Sequence, residues 1–260
     1  MKIYEYGKEK KEICILIQCT AEPWWVFDAS AKEVSKDFHV YLVIADGHDE
    51  SGSDFQSIEK TVDDLITVLK EKEIRRIDLL YGVSMGGACV TRFLAVSDIP
   101  VKKAVIDAGI TPYPYPKWIC RLISCMDWAG MMLATKCYPI MKLAAPPSRW
   151  TPVGEDPEEH YRKIFEFEKK HYSSKTIYNV FYSANNYLMP EKIPVLDTEI
   201  EYWYGEEEKK ARKNNCAYVK KIFPQTVERE FRGLEHAELI LMYPKRFHEE
   251  IMRFMKKDCH

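Results

Sequence analysis

At 260 residues the chain is long enough for one large α/β domain with an inserted subdomain, without needing a second core. With 46% hydrophobic and 30% charged residues it is neither a disordered chain nor a fibrous repeat. Its net charge is -2, and lysine and arginine are interleaved with aspartate and glutamate, so no broad basic face is offered to nucleic acid, which is excluded as an expected partner.

The first segment, "MKIYEYGKEKKEICILIQ", has mixed charge ahead of a short, strand-like apolar run and no small-residue cleavage site, so a cytoplasmic protein is expected. "EICILIQ" (12–18) and "HVYLVIA" (39–45) are nearly continuous in apolar character, as strands buried on both faces of a parallel sheet are. Between them Phe27, Ala31, Val34 and Phe38 recur at helical spacing, completing a β-α-β unit. "SIEKTVDDLITVLKEKEI" then puts Ile58, Val62, Leu65, Ile66 and Leu69 on one stripe of an amphipathic helix. The strand "RIDLLYG", a helix from about Met85 to Val96 and the strand "VKKAVIDAG" follow, and this alternation implies a doubly wound, mostly parallel α/β sheet.

The alternation then breaks. About ninety residues separate Asp107 from the strand "TEIEYWYG" (198–205), where a whole β-α-β unit needs only about thirty. Residues 109–192 are therefore expected to form a helical cap inserted before the penultimate strand, with helices at 157–172 and 174–187, while 1–108 and 193–260 form the core. Within the insertion, "WAGMMLATKCYPIMKLAAPP" is interrupted by Lys136 and Lys142, so no stable membrane insertion is expected. The chain closes with a helix near 209–223, the strand "VEREFRG" and the helix "KRFHEEIMRFMKK". Eight cysteines, Cys14, Cys19, Cys89, Cys120, Cys125, Cys137, Cys216 and Cys259, lack C-x-x-C pairing and read as reduced thiols; no metal is expected.

Gly82-Val83-Ser84-Met85-Gly86 fits G-x-S-x-G between an apolar strand and an amphipathic helix. Chemistry requires the glycines because a nucleophile on a strand-to-helix turn has a strained backbone, and strand and helix must approach closely around it. The next N–H, that of Met85, then points to where an oxyanion would form. A glycine-rich structural turn is the alternative. Serine needs a base. His236, in "FRGLEHAEL", follows the last strand across a Gly233 turn and reaches the same sheet edge as Ser84. His48 in "ADGHDESG" is the runner-up and is expected to border the pocket, whereas His39, His160, His171, His248 and His260 read as surface or packing residues. For the acid that orients the imidazole, Glu208 in "GEEE" is the choice over a merely solvated acidic turn, and Asp107 at the end of "AVIDAG" is the alternative.

"GVSMGG", an acid after a late strand, "GLEH" near the end and a helical insertion together resemble a capped α/β-hydrolase of the lipase/esterase-like kind, over essentially the whole chain. The resemblance implies a serine hydrolase with the order Ser84, Glu208, His236. That family commonly ends its first strand in His-Gly; here "IQCTAEPWW" puts Gln18 and Cys19 in those places, so that Thr20 or Cys19 would offer the second oxyanion amide. Cys19, Trp24 and Trp25 are expected at the acyl pocket, with Trp25 and Trp24 equally readable as packing under the cap, as are Tyr113, Trp118 and Trp128. The function expected is hydrolysis of a carboxylic ester or thioester of a small to medium apolar substrate through an acyl-enzyme, with no cofactor. A peptidase or amide hydrolase with the same triad, and a non-catalytic binding protein on this fold, are the rivals; a homodimer is left open.

Overall fold

The structure, a computed structural model, describes residues 1–256. Cys259 and His260 lie outside the described residues. The chain opens with strands β1 (Lys2–Tyr6) and β2 (Ile13–Ile17), helix α1 (Asp28–Val34) and strand β3 (His39–Ile44). Helix α2 (Ile58–Glu71), strand β4 (Ile77–Val83), helix α3 (Met85–Val96) and strand β5 (Val101–Asp107) complete its first half. Four helices follow before the sheet resumes: α4 (Lys117–Lys136), α5 (Tyr138–Ala144), α6 (Pro157–His171) and α7 (Ser174–Ala184). Strand β6 (Glu199–Gly205), helix α8 (Lys209–Ile222), strand β7 (Val227–Phe231) and helices α9 (Glu238–Met242) and α10 (Pro244–Lys256) close the fold.

The seven strands form one sheet in the order β1-β3-β2-β4-β5-β6-β7. All neighbours are parallel except the edge strand β1, which runs antiparallel to β3 with Lys2 opposite Ile44. Successive residues of the central strands point to opposite faces, and both faces are covered. Ile15, Val43, Leu80 and Ile106 pack against Val62 and Leu65 of α2, Phe93 of α3 and Val219 of α8. Leu16, Leu42, Leu79 and Val105 face Ala31 and Val34 of α1 and Phe247 and Ile251 of α10. The chain leaves β2 for β3 on one side and returns to β4 on the other, so the strand order reverses between β2 and β4. Crevices beyond the carboxyl ends of strands at such a reversal are where open α/β sheets bind ligands.

Helices α4 to α7 all lie between β5 and β6. α7 is bonded to the core: Thr176 Oγ1 accepts from the Phe55 amide at 3.1 Å, Ser183 Oγ from the Ile58 amide at 2.8 Å, and Asn179 donates to the Phe55 carbonyl at 2.8 Å. α4 and α5 and the edge strand β1 were not expected from sequence. No helix among the described residues is long and apolar enough to cross a membrane.

Glycines separate sharply by the space around them. A Cβ on Gly86 would lie 2.4 Å from the Ile17 carbonyl oxygen and 2.6 Å from that of Gln18, whereas one on Gly130, inside α4, meets nothing within 4 Å. Gly86→Ala should therefore destabilise the protein by more than about 3 kcal/mol, and Gly130→Ala should stabilise it by about 0.5–1 kcal/mol. Urea unfolding of both variants checks this; equal and small effects would show that the approach of β2 to α3 is not tight.

Candidate active site

β4 ends at Val83 and α3 begins at Met85, leaving Ser84 alone at the turn with φ 57° and ψ -112°. A side-chain-bearing residue holds this conformation only where its surroundings force it. They do so here: a Cβ on Gly82 would sit 2.2 Å from the Gly86 carbonyl oxygen, and one on Gly87 2.5 Å from the Gly109 Cα. The Ser84 amide donates to the Asp107 carbonyl at 2.8 Å, tying the turn to the end of β5. Met85 starts α3, so its N–H has no preceding helical carbonyl to bond and lies at the positive end of the helix dipole. The contact of Gly86 with the Ile17 and Gln18 carbonyls brings the loop after β2 alongside, and its Cys19 and Thr20 share a cavity with Ser84.

His236 arrives from the other side of the sheet edge, on the loop between β7 and α9. Its Nδ1 lies 2.8 Å from Glu208 Oε2. Glu208 is held in turn by the Arg212 Nε–H, donating to the same oxygen at 2.7 Å, and by the Gly205 amide, donating to Oε1 at 3.3 Å. Burial by itself would raise the Glu208 carboxyl, but the His236 hydrogen bond and the charges of His236 and Arg212 outweigh it and hold the group below the usual carboxylate range. A Cβ on Gly205 would lie 2.3 Å from the Leu234 carbonyl oxygen, so the histidine loop packs directly on the end of β6.

Ser84 and His236 line one cavity of about 450 Å³ at the carboxyl edge of the sheet. No hydrogen bond joins Ser84 Oγ to the His236 ring among the described residues; such contacts commonly tighten only when substrate is bound. All four helices of the insertion roof the cavity, through Met131 and Ala134 of α4, Met141 of α5, Ile164 of α6 and Phe181 of α7. Arg149, between α5 and α6, clamps the histidine loop: it donates to both carboxylate oxygens of Glu207 at 2.9 and 3.0 Å, to Glu238 at 2.7 Å and to the Gly233 carbonyl at 3.1 Å.

Asp107 is buried beside this network without touching the imidazole. Its Oδ2 accepts from the Tyr81 hydroxyl. Burial, reinforced by the Glu208 charge and opposed by the Tyr81 hydrogen bond, pushes its carboxyl up to about 7. His48 does not border the cavity. It is buried under the insertion, 5.1 Å from the Tyr172 ring and 6.2 Å from Phe55, and burial pushes it down to about 4. Trp24 and Trp25 also miss the cavity, a correction to the sequence reading. Trp24 stacks on Tyr4 of β1 at 4.2 Å and donates to Glu50, because the short 3-10 turn Trp24–Phe27 directs it to the edge strand. Trp25 packs edge-on against His160 from the far side, at 5.8 Å. Tyr113, Trp118 and Trp128 lie off the cavity too, and Trp118 is 68% exposed.

The cavity also holds three residues that sequence reasoning passed over: Glu22, Glu168 and His160. One signal for two of them was available. His160 stands beside Tyr161 in α6, and Glu168 recurs with Tyr161, Ile164 and Phe165 at i, i+3, i+4 and i+7, which puts it on the buried face. Its neighbours "EFEKKH" made it read as solvated. Glu22 has no such periodicity.

No family model matches the chain, and no curated protein matches it by sequence. In three dimensions it is similar to an α/β hydrolase enzyme from a Medee basin deep-sea metagenome library, with TM-score 0.75 and 15% identity over 100% of this chain and 94% of that one. It is likewise similar to a serine hydrolase from Cycloclasticus zankles (TM-score 0.71, 16% identity, 98% of this chain and 95% of that one). A thermophilic esterase from Thermogutta terrifontis gives TM-score 0.68 and 15% identity over 98% of this chain and 92% of that one. The chain has the α/β-hydrolase fold.

Glu22 supplies a test of the cavity's dryness. Burial raises its carboxyl from about 4.5 to about 8, so between these values the folded state binds a proton that the unfolded state has lost. This acid therefore costs stability progressively as pH rises from about 4.5 to about 8. Glu22→Gln removes the penalty, and its melting temperature should exceed that of the wild type by a margin that grows from pH 5 to pH 9. A margin independent of pH would mean that Glu22 is well solvated.

Proposed function

We propose that this protein is a serine hydrolase acting on carboxylic esters or thioesters through an acyl-enzyme. The observation that carries the reading is the 2.8 Å hydrogen bond between Glu208 and His236, with His236 and the strained Ser84 lining one cavity. The fold's likeness to esterases and hydrolases is consistent with it.

In this mechanism Glu208, which stays ionised, accepts from His236 Nδ1–H and leaves Nε2 free to take a proton. Ser84 Oγ–H gives that proton to Nε2 as its oxygen attacks the carbonyl carbon. Negative charge gathers on the carbonyl oxygen, where the Met85 amide and one from the Cys19-Thr20 loop receive it, each such donor contributing about 3 kcal/mol to barrier lowering. The imidazolium then protonates the leaving alcohol or thiol. Water, deprotonated by the same imidazole, releases the acyl group, and Ser84 recovers its proton. Nucleophile, base and oxyanion donors all come from the chain.

Glu208 is preferred to Asp107 as the orienting acid because it touches the imidazole, while Asp107 is occupied by Tyr81. The cytoplasmic location is likewise a proposal; it agrees with the seven described cysteines being free thiols, most of them buried.

A fluorophosphonate probe should label the wild type and not Ser84→Ala; equal labelling of the two would remove Ser84 from the reaction. With nitrophenyl butyrate, Glu208→Gln should lower kcat by about a hundredfold or more, and Asp107→Asn by less than about tenfold. The opposite ranking would transfer the orienting role to β5.

A further inference from the structure

Glu22, Glu168 and His160 stand in the cavity without any part in the proton transfers just described. Glu168 is 4% exposed. Neither its carboxylate nor that of Glu22 has a hydrogen-bond or ion-pair partner among the described residues; burial is the leading influence on both, and the only charge Glu168 feels is that of Glu22. His160 is also 4% exposed. Its Nδ1 lies 2.7 Å from Glu155 Oε2. The buried Nε2 of the same ring has no hydrogen-bond partner.

Two uncompensated carboxyls, Glu22 and Glu168, therefore line a cavity that no lysine or arginine lines. A third acid on its wall, Glu235, is near Arg149, 3.7 Å away, and so differs from this pair. The other titratable groups around the pair are Cys19, Tyr161 and Tyr172; each is raised by burial first and by the neighbouring acids after that, so none supplies a positive charge. The buried Tyr172 hydroxyl also lacks a partner. Carboxyls left uncompensated in apolar surroundings are disfavoured unless something brings donors and positive charge.

We propose that the cavity binds a primary alkylammonium group of the substrate between Glu22 and Glu168, making the substrate class an ester or thioester with an amine on its acyl chain. The proposal rests on reading Ser84 as the nucleophile of that same cavity. An ammonium has three N–H donors and one charge. Both carboxyls accept N–H bonds from it, and its charge compensates one ionised carboxylate while the other keeps its proton. The apolar faces of Met131, Met141, Ile164 and Phe181 take the methylene chain that separates the amine from the reacting carbonyl. The substrate is thus amphipathic rather than simply apolar.

Nitrophenyl 6-aminohexanoate and nitrophenyl heptanoate have the same length and differ in the terminal group. Wild-type kcat/KM should favour the amine by about tenfold or more, because a neutral end group leaves the acceptors unpaired. In Glu168→Gln that ratio should fall by about tenfold or more. A wild-type ratio near one, or a ratio unaltered in Glu168→Gln, overturns the cation site while leaving the hydrolase reading intact. Binding is tested apart from turnover with Ser84→Ala: hexylammonium chloride should raise its melting temperature at pH 7.5, and hexanol at equal concentration should not. Equal shifts from the two overturn the proposal. A shift from hexylammonium alone, with neither ester turned over by wild type, keeps the cation site and removes the hydrolytic reading.

Discussion

The absence of room for a Cβ at Gly82 and Gly86 is the constraint on which the site rests. It lets β4 turn into α3 within one residue, which forces Ser84 to a positive φ. The same closeness presses the Ile17 and Gln18 carbonyls against α3, so the loop after β2 has to leave beside the serine. One steric fact thus sets the position of the hydroxyl, of the helix N-terminus and of the loop that supplies Cys19 and Thr20. The strain at Ser84 is held by buried packing on both sides, since α3 from Met85 to Thr91 is buried throughout.

Around that turn the protein treats its acids in three different ways. Glu208 is given an imidazole, a guanidinium and a backbone amide, and is kept ionised. Asp107 is raised first by its burial and then by the Glu208 charge, which its single phenol does not offset, so it is held nearer to neutral. Glu22 and Glu168 receive nothing from the chain. The first arrangement suits a group that orients a base through many turnovers. The third leaves charge compensation to whatever enters, as the proposed ammonium site requires. Local partners, not depth of burial, separate the roles.

Much of this was legible in the residues. Continuous apolar runs such as "HVYLVIA" and "RIDLLYG" marked β3 and β4 because both faces of the sheet are covered, and "GVSMGG" marked the turn because its glycines have no steric alternative. The α6 and α7 spans also came close, since both helices have Ser or Asp caps and polar outer faces. α4 was invisible for a physical reason: Trp118, Leu122, Met126 and Leu133 are exposed, so its outer face is apolar as well and the contrast that reveals an amphipathic helix is missing. β1 was hidden by its brevity and by its charged surroundings. Trp24 and Trp25 misled because a 3-10 turn, which no pattern announces, sends both away from the cavity. Glu22 and Glu168 were unreadable as site residues because a lone carboxyl looks the same in sequence whether water or methionine surrounds it.

On the proposed reading, reaction and selection are divided between the two parts of the chain, but not cleanly. Ser84, Glu208 and His236 all come from the sheet edge, while the apolar roof, His160 and Glu168 come from the insertion. Arg149 crosses that division: it belongs to the insertion, yet its guanidinium binds Glu207, one residue from Glu208, and Glu238, two residues from His236. The Glu238 carboxylate in turn accepts from the Glu235 amide at 2.8 Å, so the loop carrying the imidazole is shaped partly by the insertion. Ala237 there has φ 61°, a conformation an alanine keeps only when its neighbours hold it. A displacement of the roof large enough to pull Arg149 away would therefore loosen the histidine loop as it opened the cavity. On the proposed reading, the same guanidinium therefore links the position of the imidazole to the position of the roof, and so the reacting groups to the groups that would hold the far end of the substrate.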